Sequence, residues 1–233
     1  MSATATLRDR VSTTVAREMA LALTGLGLVA FVLSHLAGNL LIFFGPEALN
    51  AYAEKLASLG AMLWLLRIGL VSVAVCHVSL AVHLTVVNWG TRKARYAVTA
   101  TKGRKSVASR LMISSGVIVL CFVAFHLWDF TLGVKTGPGT IVTVFGGEEE
   151  LGLFGLVWNS LANPMRALFY IVAVCSVGVH LSHALSSVLV TLGFLSDRAT
   201  AKADVAAWVI GAMVALGFAS IPIYVLVRTY LIA

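Results

Sequence analysis

The sequence has few charged residues. Lys, Arg, Asp and Glu make up 12% of the 233 residues, whereas 59% are hydrophobic and the mean hydropathy is +0.95. Soluble domains are about one quarter charged, so this composition excludes an ordinary soluble protein. Apolar runs of about 18 residues or more indicate helices that cross a bilayer, because a helix satisfies its own backbone hydrogen bonds in lipid. Five such runs predict an all-α integral membrane protein with transmembrane helices at about 20–44, 62–88, 111–134, 165–191 and 205–231.

These five segments occupy most of the chain and leave no room for a soluble domain. Residues 1–233 are therefore predicted to form a single membrane domain. The first segment is too long for a signal peptide and lacks a small-residue cleavage site, so we expect it to be retained. No internal repeat is evident on inspection of the chain.

Cysteine is also scarce. Cys76, Cys121 and Cys175 lie inside apolar segments without CxxC spacing, which argues against a disulfide framework or a zinc site. The sequence contains no CxxCH motif, so any heme would be held without covalent attachment.

Basic residues are distributed unevenly between the loops. Seven of them lie between the second and third segments: Arg92, Lys93, Arg95, Lys102, Arg104, Lys105 and Arg110. Three more precede or begin the first segment: Arg8, Arg10 and Arg17. Because Lys and Arg concentrate in cytoplasmic loops, the N-terminus is predicted to be cytoplasmic and the C-terminus to lie outside. The net charge of +7 is thus interpreted as a topology signal rather than as a nucleic-acid surface.

The two loops predicted to lie outside are richer in acidic residues. Residues 45–58 place apolar side chains on one helical stripe, which predicts a short helix lying on the membrane surface. Residues 135–163 include the acidic run Glu148–Glu150 and many glycines, and are predicted to form a lid-like loop.

All six histidines fall within the first four segments, and the fifth segment has none: His35, His77, His83, His126, His180 and His183. An ionisable residue at membrane depth is costly and by default suggests function. A lone intramembrane histidine is often explained by an interhelical hydrogen bond instead. Four consecutive helices that each carry a histidine are harder to explain in that way.

The depths of four histidines favour two metal-binding levels. His35 and His126 lie past the centres of helices that run outward, which displaces both by roughly 5 Å toward the outer face. His77 and His180 lie past the centres of helices that run inward, which displaces both by roughly 3 Å toward the cytoplasm. Two histidines at each level are what two bis-histidine hemes require, one near each leaflet.

The remaining two histidines are alternatives. His183 follows His180 by about 60° and about 4.5 Å, so it could replace His180 as a ligand or contact a heme propionate. His83 is rotated by about 120° from His77 and lies about 9 Å nearer the cytoplasmic edge, where a propionate, a quinone or water could face it.

Polar residues near helix ends are candidates for quinone or propionate contacts: Arg17, Asn39, Arg67, Trp128, Asp129 and Arg166. Arg67 and Arg166 stand out because each begins a segment that carries a candidate ligand. Snorkelling of the two side chains to the membrane surface is the alternative explanation.

Four segments of the chain carry a family resemblance: SHLAGNLLIFFGPEALNAYAEKL, CHVSLAVHL, SGVIVLCFVAFHLWDF and HLSHALSSVLVTLG. Over about residues 15–230 the chain resembles the cytochrome b558-type membrane subunit of succinate dehydrogenases and fumarate reductases, in its single-chain, five-helix, di-heme class. The resemblance implies an anchor of a succinate:quinone oxidoreductase in a bacterial inner membrane, with two heme b groups and a quinone, most often menaquinone.

The same resemblance assigns residues and partners. The heme ligands of that family correspond to His35 and His126, for the outer heme, and to His77 and His180, for the inner heme. It also implies a flavoprotein subunit, which carries out the dicarboxylate chemistry, and an iron–sulfur subunit, both docked on the cytoplasmic face. The resemblance is also compatible with a higher oligomer of the whole complex.

Two other functions compete with this interpretation, and a purely structural anchor whose histidines bind nothing is a third alternative. The cytochrome b subunit of a respiratory nitrate reductase also has five helices, but that family draws ligands from its second and fifth helices, and the fifth segment here has no histidine. A transporter with a histidine proton relay would need acidic partners at mid-membrane, which the cores of the five segments lack.

Overall fold

The computed structural model describes residues 3–90, 107–132, 141–144, 147–150, 152–194 and 197–232. The described chain contains these α-helices: α1 (Ala3–Asn39), α2 (Pro46–Ala57), α3 (Ala61–Gly90), α4 (Val107–Leu127), α5 (Gly152–Leu161), α6 (Pro164–Thr191) and α7 (Asp197–Tyr230). Five of them, α1, α3, α4, α6 and α7, are long and apolar enough to cross a membrane. The prediction of an all-α integral membrane protein with five spanning helices is confirmed.

The long helices extend beyond the apolar runs that predicted them. Helix α1 begins at Ala3 rather than near residue 20, and α7 begins at Asp197 rather than near residue 205. Hydropathy detects only the part of a helix that lies in lipid, whereas polar residues beyond it continue the same backbone hydrogen bonds. Helix α4 continues as a π-helical turn at Trp128–Leu132.

The predicted surface helix is present as α2. A 3₁₀ turn at Leu40–Phe44 follows α1, and Gly45 then adopts a φ of 95°, which favours glycine. Pro46 starts α2 at a position where its missing N–H costs nothing. The Tyr52 ring lies so close to Gly38 that a β-carbon at that position would overlap it, which holds α2 against the end of α1.

The segment predicted as a lid-like loop contains regular structure in its described part. Strands β1 (Ile141–Val144) and β2 (Gly147–Glu150) form an antiparallel hairpin in which Ile141 is opposite Glu150. Helix α5 follows, and its Phe154 N–H donates to Asn50 Oδ1 of α2 at 3.0 Å. The loop prediction was wrong for these residues, and in α5 the burial of apolar side chains outweighs the glycine content. Residues 135–140 lie outside the described part.

Helix α5 buries its apolar side chains at one end of the bundle, which we call the capped end. The buried cluster there consists of Ile42, Leu49, Phe154, Trp158, Leu161, Tyr170, Ile221 and Val225. Tyr230 Oη at the end of α7 donates to the carbonyl of Ala162 at 3.1 Å, which brings the end of α7 to the turn between α5 and α6. The capped end therefore contains the ends of α1, α4 and α7 and the starts of α3 and α6.

Helices α6 and α7 share the most extensive interface in the described chain. Gly178 and Gly211 lie where the two backbones cross, and a β-carbon on either glycine would collide with the carbonyl oxygen of the other. Small residues of this kind allow helices to approach closely in lipid, where packing rather than the hydrophobic effect holds them together.

Four of the five spanning helices, α1, α3, α4 and α6, form an incomplete square. Helix α1 packs against α3 and α6, and α6 packs against α4. Within the described residues, α3 and α4 share no extensive interface, and the diagonal pairs α1 with α4 and α3 with α6 share none either. Contacts between diagonal helices are therefore made by side chains that extend into the space between the four helices.

Candidate functional site

His35 and His126 meet across the space between α1 and α4. Their ring centroids are 5.9 Å apart, and the ring planes are inclined at 81°. Two imidazoles that bind one metal ion through bonds of about 2 Å place their nitrogens about 4 Å apart and their ring centres about 6 Å apart. The observed separation agrees with this spacing, and it is also that of an ordinary edge-to-face ring contact.

Aromatic rings surround this outer pair. Phe31 stacks on His35 at 5.3 Å, and Phe218 of α7 lies 5.9 Å from the same ring. Asn39 Nδ2 donates to the His35 carbonyl at 2.8 Å and lies 3.3 Å from each ring nitrogen. This pair is therefore enclosed by apolar rings, with one amide at its edge.

His126 is enclosed in the same way. Phe130, Phe122 and Tyr170 lie 5.2, 5.7 and 6.2 Å from its ring. Its Nδ1 atom is buried without a hydrogen-bond partner. Buried polar atoms are rarely left unpaired, because desolvation without a hydrogen bond is costly. An orphaned nitrogen beside a second histidine is consistent with a site for a bound group.

His77 of α3 and His180 of α6 lie on the second diagonal of the bundle, near enough for their charges to interact. The Nδ1 atom of His77 lies 3.3 Å from Thr24 Oγ1 of α1. The Nδ1 atom of His180 lies 3.1 Å from Ser115 Oγ of α4. Both histidines of this inner pair therefore contact a hydroxyl on a neighbouring helix.

Glycines make room for both rings of the inner pair. A β-carbon on Gly25 would lie 3.2 Å from Cε1 of His77, and one on Gly116 would lie 3.4 Å from Cε1 of His180. Each hydroxyl residue and the glycine after it thus form a cradle for the histidine of the adjacent helix. We call Thr24-Gly25 and Ser115-Gly116 the hydroxyl–glycine cradles.

The two histidine pairs lie at different heights. Thr24 precedes His35 by eleven residues on α1, and Ser115 precedes His126 by eleven residues on α4. At a rise of 1.5 Å per residue, both helices separate the inner pair from the outer pair by about 16 Å. The structure therefore brings together the four histidines in the two pairs that the sequence predicted. Their binding of heme stays a prediction.

A sequence repeat underlies this arrangement. Residues 24–35, TGLGLVAFVLSH, align with residues 115–126, SGVIVLCFVAFH, and four of the twelve positions are identical. HVSLA at 77–81 aligns with HLSHA at 180–184. This similarity is modest, and the connections within the two copies differ in length, so it is not evident as a repeat along the chain. The alignment places a hydroxyl residue and a glycine at the same distance before His35 and His126, which is the signal that the sequence carries for the cradles.

His83 and His183 lie outside the two pairs. His83 Nε2 lies 3.0 Å from Arg17 Nη1, and it must accept from the guanidinium because arginine only donates. The His183 ring lies against Trp208 of α7, with centroids 5.0 Å apart, and its Nε2 atom is buried without a partner. His180, rather than His183, is the residue that a hydroxyl of α4 contacts.

Arg166 and Arg67 differ in their surroundings although both lie at the capped end. Arg166 Nη1 donates to Asp129 Oδ1 at 2.6 Å. Asp129 Oδ2 accepts from Ser160 Oγ and Tyr170 Oη, each at 2.9 Å. Arg67 instead lies 5.2 Å from the Trp64 ring in a cation–π contact. Asp129 therefore joins the π-helical turn to α5 and α6.

Replacing Asp129 with asparagine should destabilise the capped end. The amide nitrogen of asparagine cannot accept a hydrogen bond, so one or two of the three donors lose their acceptor. We expect a loss of about 1–3 kcal/mol, chiefly from the hydroxyls of Ser160 and Tyr170, because the half-exposed Arg166 ion pair contributes little. Thermal unfolding in detergent would show a midpoint lowered by about 2–4 °C for each kcal/mol.

Arg67→Gln is the matched control for that variant. It neutralises the other arginine at the start of a spanning helix, and its exposed position predicts a change of less than about 0.5 kcal/mol. Equal midpoints for Asp129→Asn and the unmodified chain would contradict a bridging role for Asp129.

The donor sets at both levels are pairs of histidines. Among the described residues, no group of three or more His, Cys, Asp or Glu side chains is arranged to hold a metal ion. Two histidines suit a prosthetic group that brings its other metal ligands with it, as a porphyrin does. Comparison with protein-family models, with curated proteins and with solved structures found no match to this chain.

Proposed function

We propose that the chain is the di-heme cytochrome b anchor of a succinate:quinone oxidoreductase. The observation that carries this proposal is the pairing of four histidines across two diagonals of the bundle, at two heights about 16 Å apart. His35 and His126 would hold one heme b, and His77 and His180 the other.

The surroundings of the four histidines suit this cofactor. One nitrogen of His126 has no hydrogen-bond partner, phenylalanines surround the outer pair, and the two cradles lie against the inner pair. Heme supplies one-electron chemistry when bound. The chain's own residues orient the ligands, exclude water from the site and provide an apolar environment that, with the hydrogen bonds to the ligands, sets the potential.

The partners follow from the family resemblance. A flavoprotein subunit would handle succinate or fumarate, and an iron–sulfur subunit on the cytoplasmic face would exchange electrons with a heme held by the inner histidine pair. The outer pair would complete a path across the bacterial inner membrane, and menaquinone would be the membrane substrate. The basic segment 92–110, almost all of which lies outside the described residues, would face the iron–sulfur subunit.

The test is the visible spectrum of the chain purified from membranes in mild detergent. We expect reduced-minus-oxidised bands of low-spin heme b and a heme content of about two per chain. Heme should extract into acidified acetone, because the chain has no CxxCH motif for covalent attachment.

A variant in which all four paired histidines are alanine should lose these bands. His83→Ala is the control, since its ring lies against Arg17 outside both pairs, and it should retain both hemes. A purified and folded chain without heme would contradict the proposal and would leave a proton-relay or purely structural role.

Single cysteines introduced at Lys102 and Glu149 should report the orientation. Positively charged loops stay in the cytoplasm, so an impermeant thiol reagent added to intact cells should label the cysteine at 149 and not the one at 102. The cysteine at 102 should also crosslink to an iron–sulfur subunit in the assembled complex. The chain with only its three native cysteines is the background control, and the reverse labelling would overturn the orientation.

A further inference from the structure

The hydroxyl of Thr24 has only one proton, and the backbone of its own helix takes it. Thr24 Oγ1 donates to the carbonyl of Ala20 at 2.8 Å and lies 3.0 Å from that of Leu21. A hydroxyl offers one donor and two acceptor positions, so the oxygen that faces His77 Nδ1 can only accept. His77 must therefore be the donor in the contact at 3.3 Å, with its proton on Nδ1.

Ser115 repeats this arrangement on α4. Its Oγ donates to the carbonyl of Met112 at 3.1 Å, which uses the hydroxyl proton. His180 Nδ1 lies 3.1 Å from Ser115 Oγ, and the carbonyl of Met112 accepts a hydrogen bond from the same imidazole, which places the proton on the nitrogen that faces both groups. Both inner histidines are thus held as the tautomer that leaves Nε2 without a proton and free to bind a metal ion.

The outer pair has no equivalent acceptor in the described structure. The polar neighbour of the His35 ring is the amide nitrogen of Asn39, which donates rather than accepts. His126 Nδ1 has no partner. The hydroxyl–imidazole contacts therefore distinguish the inner pair from the outer pair.

We propose that Thr24 and Ser115 are positioning residues that fix the tautomer and orientation of His77 and His180 and thereby lower the midpoint potential of the inner heme alone. This inference rests on the proposed function. A metal-bound histidine becomes a stronger base when its other nitrogen donates a hydrogen bond, and a stronger base favours the oxidised iron. Gly25 and Gly116 let the helices approach closely enough for these contacts.

The test is a redox titration of the assembled complex with Thr24→Val or Ser115→Ala, monitored by the spectra of both hemes. Each variant removes the hydroxyl acceptor, leaves the backbone carbonyl of Leu21 or Met112 beside the same imidazole, and keeps a side chain of similar or smaller size. We expect the reduction equilibrium of the inner heme to shift about tenfold toward the reduced form, which is about 59 mV upward for one electron. The outer heme should keep its potential.

Two controls separate this effect from general damage. Thr24→Ser retains the hydroxyl and should retain the wild-type potential. Ser114→Ala removes the neighbouring hydroxyl, which is exposed and donates to the carbonyl of Leu111, and should change neither heme. If the complex with Thr24→Val does not assemble, the redox titration of Ser115→Ala alone tests the proposal. Alanine is the residue best tolerated in a helix, so this variant should assemble.

The outcomes distinguish the two proposals. Two hemes per chain with unchanged potentials in both variants would overturn the role of the hydroxyls and leave the proposed function intact. Equal shifts of both hemes would overturn it as well. A wild-type chain without heme would overturn the proposed function, and this inference with it.

Discussion

His35→Ala and His126→Ala should produce the same spectral loss, and His77→Ala and His180→Ala should share a different one. Each substitution removes one axial ligand from one iron only, so heme content should fall from two to about one per chain. The pairs should separate because the His35 and His126 rings are in contact at one height, whereas His77 and His180 lie near each other at another. Absorption spectra of the purified variants measure the result.

Electron entry provides a second readout on the same variants. Because electrons would arrive from the cytoplasmic partner, variants of the inner pair should lose reduction of the remaining heme by succinate, whereas variants of the outer pair should keep reduction of the inner heme. His183→Ala is the control, since its ring packs against Trp208. If His35→Ala and His77→Ala damaged the same heme, the diagonal pairing would be wrong.

Enlarging a cradle glycine should have an effect as large as removing a ligand. In Gly25→Leu, the new side chain would start 3.2 Å from Cε1 of His77 and push that ring from its position. In Gly116→Leu, the same would happen to His180 from 3.4 Å. We expect loss of the inner heme from both variants and retention of the outer heme, measured as heme content of about one per chain.

Gly69→Leu is the matched control for the cradle variants. It lies on α3, and a β-carbon there meets nothing within 4 Å. Leucine is a better helix former than glycine, so intrinsic propensity favours all three variants, and a loss confined to Gly25 and Gly116 must come from contact with the histidines. Normal content of both hemes in Gly25→Leu would show that the cradle does not limit the site.

The sequence predicted the helices and the histidine levels because both depend on local signals. Apolar runs define spanning helices, and the position of a residue such as His126 within a run gives its depth. The cradles escaped prediction because hydropathy treats Thr24 and Ser115 as minor interruptions of an apolar segment. Their contacts with histidines of other helices depend on how the helices rotate against each other, which a single sequence does not specify.

The capped end was less predictable for a related reason. The run that forms α5 is too short to cross a bilayer, so its burial depends on α2 and α7 being placed beside it. The contact of Phe154 with Asn50 joins segments that are far apart in sequence. Arg166 was predicted near a heme or a quinone, and the structure pairs it with Asp129.

The repeat of α1 and α3 in α4 and α6 divides every histidine pair between the two copies. His35 and His77 belong to the first copy, and His126 and His180 to the second, so neither copy completes a pair by itself. The two copies run in the same direction through the membrane, as in parallel repeats related by an axis along the membrane normal. A two-helix hairpin with one histidine at each height would therefore generate both sites simply by associating with an identical hairpin. Fusion of two such hairpins into one chain would leave each free to specialise, one copy keeping threonine and the other serine in its cradle.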